Sequence, residues 1–248
     1  MRDTARFGAE TTASEVAEGI DLSGQLALVT GGSGGLGQET ARVLAERGAH
    51  VILTARDMSK GEAVAAGIRA STGNQHVEVE ELELGSLKHI RAFAQRFLAR
   101  HPTLHILVNN AGVMACPPAK TANVLFAVGL ERRLGARGVH ANALHPGGIM
   151  TELSRHLQPE DMQFLQARTR GMKFKSVEAG AATSVFSATA PELEGRGGLY
   201  LEDCHVAAVN DAPDALDGVK SYALDPQSAE RLWEVSEKLV GERFTLRP

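Results

Sequence analysis

The chain has 248 residues, with 26 basic and 30 acidic side chains and a formal net charge of −4. This length fits one α/β domain, and the interspersed, slightly acidic charge excludes the basic surface that nucleic acid or an anionic membrane would need. Two cysteines exclude a disulfide framework, and no stretch approaches the ~20 apolar residues that span a bilayer. We therefore expect a single domain over residues 1–248, in the cytoplasm, with neither nucleic acid nor membrane as partner.

Residues 1–19 are predicted to form a polar lead-in, and the elements after them alternate between strand and helix. Short apolar runs bounded by turns predict buried parallel strands, and apolar side chains at helical spacing predict the helices between them. This alternation indicates an α/β fold, a Rossmann-like doubly wound parallel sheet. The predicted strands are 26–29, 50–55, 76–84 and 104–108, and the predicted helices are 38–47, 60–70 and 87–98.

The alternation changes after residue 112, where a Pro117-Pro118 pair comes shortly before the next predicted helix. Ser176 is the expected N-cap of a later helix. We expect Trp233 to pack in the core of the last helix, with a substrate lid as the alternative, and Cys204 to be a buried apolar residue rather than a nucleophile. The predicted helices are 121–134, 160–168, 176–188 and 229–240, and the predicted strands are 139–144 and 198–201.

A glycine-rich turn joins the first strand to the first helix. Gly32, Gly34 and Gly37 satisfy the spacing G-x-G-x-x-G, which alone is weakly specific in a chain with 26 glycines. A turn without Cβ atoms that leads into a helix N-terminus is what a dinucleotide pyrophosphate needs. Because a strand precedes the turn and a helix and second strand follow it, the sequence favours a nucleotide site over a merely tight turn.

Arg56 stands at the tip of the second strand, where the adenosine ribose lies in such a unit. A carboxylate at this position favours NAD, whereas an arginine accepts the 2′-phosphate of NADP. Asp57 is adjacent, but Arg56 directly continues the strand, so we expect NADP, with NAD less favoured. A solvated surface charge is the alternative interpretation of Arg56.

Together these features resemble the short-chain dehydrogenase/reductase family, in the branch that contains retinol-dehydrogenase-like and WW-domain-oxidoreductase-like enzymes. Residues 30–37 match its T-G-x-x-x-G-x-G turn, residues 109–112 match its N-N-A-G motif, and residues 146–151 match the P-G loop that flanks the nicotinamide. Glu83 stands where the family usually places an Asp near the adenine. The resemblance implies a cofactor site formed by Thr30, Gly31, Ser33, Gly35, Leu36, Gly37, Arg56, Glu83, Asn110, Ala111, Gly112, Pro146, Gly147 and Thr151.

The family's catalytic residues are matched only in part. The family uses a Tyr as general acid/base, a Lys four residues later, a Ser that hydrogen-bonds the substrate carbonyl, and an Asn. Neither tyrosine of this chain, Tyr200 or Tyr222, has a lysine four residues later. Residues 120–127 resemble the family segment that begins at the catalytic Lys, so the resemblance implies Lys120 as a catalytic residue, with Cys116 in the place of the Tyr.

The family inserts a helix and a strand between the fourth strand and this helix, roughly 60 to 80 residues at the scale of βαβ units. Their absence predicts an internal deletion that shortens the sheet by about one βα unit. The proline pair should prevent a helical turn between residue 116 and Lys120. We expect strand 139–144 to move beside strand 104–108, since an unpaired inner edge costs ~1 to 3 kcal/mol for each buried group. The lost helix normally builds the family's dimer interface, which leaves the oligomeric state open.

Two functions fit the sequence. The resemblance implies NADP-dependent hydride transfer between a small-molecule alcohol and a carbonyl, reduced ~10²- to 10⁴-fold or more because the general acid is missing. The alternative is a non-catalytic nucleotide-binding module or an inert truncated product. A metal hydrolase built from the 9 histidines is disfavoured.

Overall fold

The computed structural model describes residues 7–112, 117–150 and 174–245. Their strands form two sheets, one of four strands in the order β3-β2-β1-β4 and one of three in the order β5-β6-β7. All pairs of the first sheet are parallel, which confirms the predicted α/β fold. The strands are β1 (Leu26–Val29), β2 (His50–Ala55), β3 (Val77–Glu81), β4 (Ile106–Val108), β5 (Ala143–His145), β6 (Tyr200–Glu202) and β7 (His205–Val206).

The helices lie close to their predicted positions, and most begin earlier than the apolar periodicity indicated. Ser176 is the N-cap of its helix, as predicted, and its hydroxyl accepts a hydrogen bond from the Ala179 amide at 3.2 Å. The predicted helix 160–168 lies outside the described residues. The helices are α1 (Ala13–Val16), α2 (Gly35–Glu46), α3 (Met58–Thr72), α4 (Leu87–Arg100), α5 (Pro117–Leu134), α6 (Val177–Thr189) and α7 (Pro226–Val240).

The interpretation of residues 1–19 as a polar lead-in is wrong for the part that the structure describes. Thr12 and Glu15 form a capping box that begins α1. Ala13 and Ala17 are fully buried in the same apolar cluster as Val185 of α6. The short helix therefore belongs to the core, although its few apolar side chains made no helical stripe.

The core of the first sheet has two faces, as a doubly wound fold requires. On one face Val29 packs with Leu44 of α2 and Ile68 of α3. On the other face Leu28 packs with Phe93 of α4. Because β1 is covered on both faces, all four of its residues are buried, which is why it reads as a continuous apolar run.

The predicted move of the later strand beside β4 is wrong. β5 pairs with β6 in the second sheet, and among the described residues β4 pairs only with β1. The prediction assumed a buried edge, on which each unsatisfied group costs free energy, but Leu107 of β4 is 52% exposed.

The last helix packs on α5 through Trp233. Its ring stacks on Phe126 with centroids 5.7 Å apart, and the guanidinium of Arg133 lies 4.2 Å from the ring centroid. These contacts agree with the packing role expected of Trp233. No helix in the described parts of the chain has the length and apolar character to cross a bilayer.

Candidate cofactor site

Hydrogen bonds join the glycine-rich turn after β1 to the N-N-A-G motif after β4. The Thr30 amide donates to the Val108 carbonyl at 3.0 Å, and the Thr30 hydroxyl accepts from the Ala111 amide at 3.0 Å. The Asn110 side chain donates to the carbonyls of Thr30 at 2.9 Å and Gly31 at 3.3 Å. The structure thus brings together four of the predicted site residues from motifs that are distant in sequence.

Gly37 is needed because α2 approaches this loop closely. A Cβ atom at position 37 would lie 2.5 Å from the Gly31 carbonyl oxygen and would also collide with the Asn110 amide. Any side chain there would separate the turn from the N-N-A-G motif. The glycine therefore serves the packing of helix against loop, as the third glycine of such a turn does.

The N-terminus of α2 is available to an anion. Its N-cap is Gly34, and within the described residues no side chain caps it and no acidic residue lies in its first turn. Ser33, Gly35 and Leu36 surround this end of the helix. Unpaired N–H groups and the helix dipole give it a partial positive charge that favours a phosphate group.

Lys60 adds a positive charge that the sequence analysis missed. Its Nζ lies 3.6 Å from the position that a Cβ of Gly34 would occupy. The sequence signal that could have identified Lys60 is its position in the first turn of α3, three residues after the N-cap Asp57.

Arg56 and Glu83 lie together at the tips of β2 and β3. The Arg56 guanidinium is 4.0 Å from the Glu83 carboxylate, and both side chains are largely exposed. Glu83 also accepts a hydrogen bond from the Gly85 amide at 2.7 Å. The neighbouring Asp57 points elsewhere, since its carboxylate caps α3 by accepting from the Lys60 amide at 3.0 Å.

Lys120 lies in the first turn of α5, which begins at Pro117. The expectation that the proline pair prevents a helical turn before Lys120 is therefore wrong, because proline is tolerated in a first turn, where its missing N–H would have no partner. The Lys120 Nζ lies 3.9 Å from the position that a Cβ of Gly112 would occupy, which places the ammonium beside the N-N-A-G motif. Cys116 lies outside the described residues.

Pro146 and Gly147 of the P-G loop follow β5. This loop and the glycine-rich turn both pack against α6. A Cβ at Gly180 of α6 would lie 2.8 Å from a methyl carbon of Leu36 and 2.6 Å from the side chain of Ile149. Residues from both loops therefore pack on one small residue. Thr151, the last predicted cofactor residue, lies outside the described residues.

Neither tyrosine has an environment suited to a general base. Burial, together with the charge of Glu202, raises the pKa of the Tyr200 phenol, and Tyr222 is exposed. The Cys204 thiol is buried, and burial raises its pKa to about 11, in agreement with an apolar rather than a nucleophilic role. Among the described residues, no group of three or more His, Cys, Asp or Glu side chains could hold a metal ion.

Comparison with known proteins agrees with this geometry. The sequence profile of the family "short chain dehydrogenase" matches residues 25–124. The chain is 34% identical to mouse retinol dehydrogenase 12, with 90% of this chain and 88% of the relative covered. It is 33% identical to human retinol dehydrogenase 11, over 90% and 87% of the two chains, and 32% identical to the WW domain-containing oxidoreductase of Danio rerio, over 97% and 74%.

Solved structures show the same fold. A crystal structure of a Mycobacterium paratuberculosis protein has 25% sequence identity and a TM-score of 0.65, covering 93% of this chain and 98% of that one. A short-chain dehydrogenase from Burkholderia cenocepacia, in complex with NADP, has 24% identity and a TM-score of 0.59, over 73% and 96% of the two chains.

The parallel sheet with a glycine-rich turn between β1 and α2 defines a protein of the Rossmann-like class. The chain belongs to the short-chain dehydrogenase/reductase family, in its retinol dehydrogenase branch.

Proposed function

We propose that the chain binds NADP(H) at the glycine-rich turn and that its hydride transfer between a small alcohol and a carbonyl is strongly impaired. The observation that carries the cofactor preference is the role of Asp57. Its carboxylate is used to cap α3, which leaves Arg56 as the charge at the tip of β2. A positive charge there favours the 2′-phosphate of NADP over the free ribose hydroxyl of NAD.

One further observation supports this preference. The ion pair of Arg56 with Glu83 is long and exposed, and such pairs contribute little, about 0 to 1 kcal/mol, so it is a weak competitor for a phosphate. Lys60 places an ammonium beside Gly34, at the anion-accepting end of α2, where it would stabilise the pyrophosphate that NADP and NAD share.

The impairment follows from the missing proton donor. When bound, the nicotinamide supplies or accepts the hydride, and the protein must move the accompanying proton. Lys120 lies beside Gly112, but no tyrosine stands four residues before it, and Tyr200 has a raised pKa. A missing general acid/base costs ~10²- to 10⁴-fold in rate, and the missing Ser of the family removes stabilisation of the carbonyl oxygen as well.

We infer that this loss comes from an internal deletion between β4 and α5. Only residues 109–116 separate the two elements. The alignment with the mouse relative extends over 291 positions, although this chain has 248 residues. Sequencing the gene and its transcripts tests the inference, and finding the missing helix and strand as an unrecognised exon would contradict it.

The function itself is tested by titrating the protein with NADPH and NADH by fluorescence. NADPH oxidation is then assayed with aldehydes and ketones, retinaldehyde among them because two relatives are retinol dehydrogenases. We expect tighter binding of NADPH than of NADH, with turnover at least ~100-fold below that of an intact family member assayed alongside. Tighter NADH binding, or turnover at the rate of the intact enzyme, would contradict the proposal.

A single domain over residues 1–248 and a cytoplasmic setting stay predictions. One cooperative urea transition, monitored both by circular dichroism and by Trp233 fluorescence, is the expected behaviour of a single domain. Two separated transitions would indicate that the two sheets unfold independently.

A further inference from the structure

Lys175 is a nearly buried cation that the family motifs do not include. It lies just before α6, its side chain is 8% exposed, and its ammonium forms an ion pair with Asp203. A lysine is seldom buried to this degree unless it is paired. The residues around this ion pair show what it holds in place.

Both the backbone and the side chain of Lys175 contact the P-G loop. Its backbone amide donates to the Gly148 carbonyl at 2.9 Å, and it forms a parallel β-bridge with Ile149. Gly147 has a φ of +97°, and a Cβ at this position would lie 2.7 Å from the Lys175 Cε. The aliphatic part of the lysine thus lies directly against the loop, and a larger residue at position 147 would have to displace it.

Asp203 is held in place by an unusual turn between β6 and β7. Asp203 and Cys204 have φ values of 46° and 61°, a conformation that non-glycine residues seldom adopt and that suits a two-residue hairpin. The Cys204 amide donates to the Thr183 hydroxyl of α6 at 3.3 Å. The turn is therefore fixed to α6, and Asp203 holds the Lys175 ammonium in turn.

We propose that Lys175 and Asp203 are positioning residues that hold the P-G loop in the shape required by the nicotinamide end of the cofactor. The inference rests on the proposed function, because it assumes that NADP(H) lies along the glycine-rich turn with its nicotinamide at this loop. Contacts at the adenosine end, through Arg56 and the N-terminus of α2, do not involve the pair.

The experiment compares two ligands that separate the two ends of the site. NADPH contacts both ends, whereas 2′,5′-ADP carries only the adenosine with its 2′- and 5′-phosphates. In Lys175→Met we expect NADPH affinity to fall at least about tenfold, which is the effect of losing one charge-assisted contact. The affinity for 2′,5′-ADP should change less than about twofold. Lys175→Arg keeps the charge and should restore most of the NADPH affinity.

Lys220→Met is the matched control, because Lys220 also ties down a loop, through the carbonyls of Asn210 and Ala212. It should change neither affinity.

Asp203→Asn removes the charge of the partner of Lys175 while keeping the shape of the side chain, and should reproduce the selective loss of NADPH affinity if Lys175→Met does not fold. Equal affinities for NADPH in Asp203→Asn and the unmodified chain would overturn the inference, as would a parallel loss of both ligands in folded protein. Failure of the unmodified chain to bind either ligand would instead overturn the proposed function and this inference with it.

Discussion

The two halves of this molecule differ in how completely they match their family. Around β1 to β4, hydrogen bonds of about 3 Å join the turn to the N-N-A-G motif, and α2 approaches both closely at Gly37. The sheet is covered on both faces. Beyond β4, the sheet divides and β5 joins a separate three-stranded sheet. Under the proposed function, a cofactor site formed within a compact βαβ arrangement persists after the elements that carry the catalytic groups are lost.

The division of the sheet predicts very different costs for two leucines. Leu44 of α2 is fully buried, whereas Leu107 of β4 is 52% exposed at the divided edge. Leu44→Ala should lower the free energy of unfolding by ~2 to 5 kcal/mol, and Leu107→Ala by less than ~0.5 kcal/mol, both measured by urea denaturation. A cost at Leu107 equal to that at Leu44 would mean that another strand covers β4.

Gly37→Ala tests whether the joined loops form the cofactor site. The new methyl group would collide with the Gly31 carbonyl and the Asn110 amide, so we expect NADPH affinity to fall more than ~100-fold. The control is Gly67→Ala on α3, where a Cβ meets no atom within 4 Å and where alanine should stabilise the helix by up to ~1 kcal/mol. Normal NADPH binding by Gly37→Ala would place the cofactor elsewhere.

Arg56→Ala tests the preference for NADPH. Loss of one charge-assisted contact should weaken NADPH binding ~10-fold or more, while NADH binding should hardly change, because NADH has no 2′-phosphate. The effect should shrink as salt screens the exposed charge. The control is Arg96→Ala, which removes an exposed arginine on α4. An equal effect of Arg56→Ala on NADPH and NADH would show that Arg56 does not recognise the 2′-phosphate.

Lys120 should give the smallest effect. Catalytic groups that act as a unit are not additive. In a chain without a tyrosine four residues before Lys120, removing the lysine should therefore change the residual kcat less than ~3-fold. Fluorescence titration of Lys120→Met with NADPH separates an effect on binding from an effect on turnover. A large fall in kcat would show that Lys120 acts with a proton donor other than a tyrosine four residues before it.

Much of the fold and part of the site could be predicted because their signals are local in sequence. The apolar run of β1 and the glycines after it specify a strand and a turn without reference to distant residues. The hydroxyl of Ser176 predicted its own helix start in the same way. Lys60 escaped prediction because its proximity to Gly34 depends on how α3 packs beside α2, and no residue spacing reports that packing.

The sequence by itself determined the alternation of strands and helices, the glycine-rich turn, the N-N-A-G motif and the absence of a Tyr-x-x-x-Lys pair, since each is a statement about nearby residues. Only the tertiary structure decided that β5 pairs with β6, that α1 packs into the core, and that Lys175 lies against the P-G loop. Strand pairing and the burial of a charge depend on competition among distant surfaces and water. That competition is decided when the chain packs, and no local pattern records it.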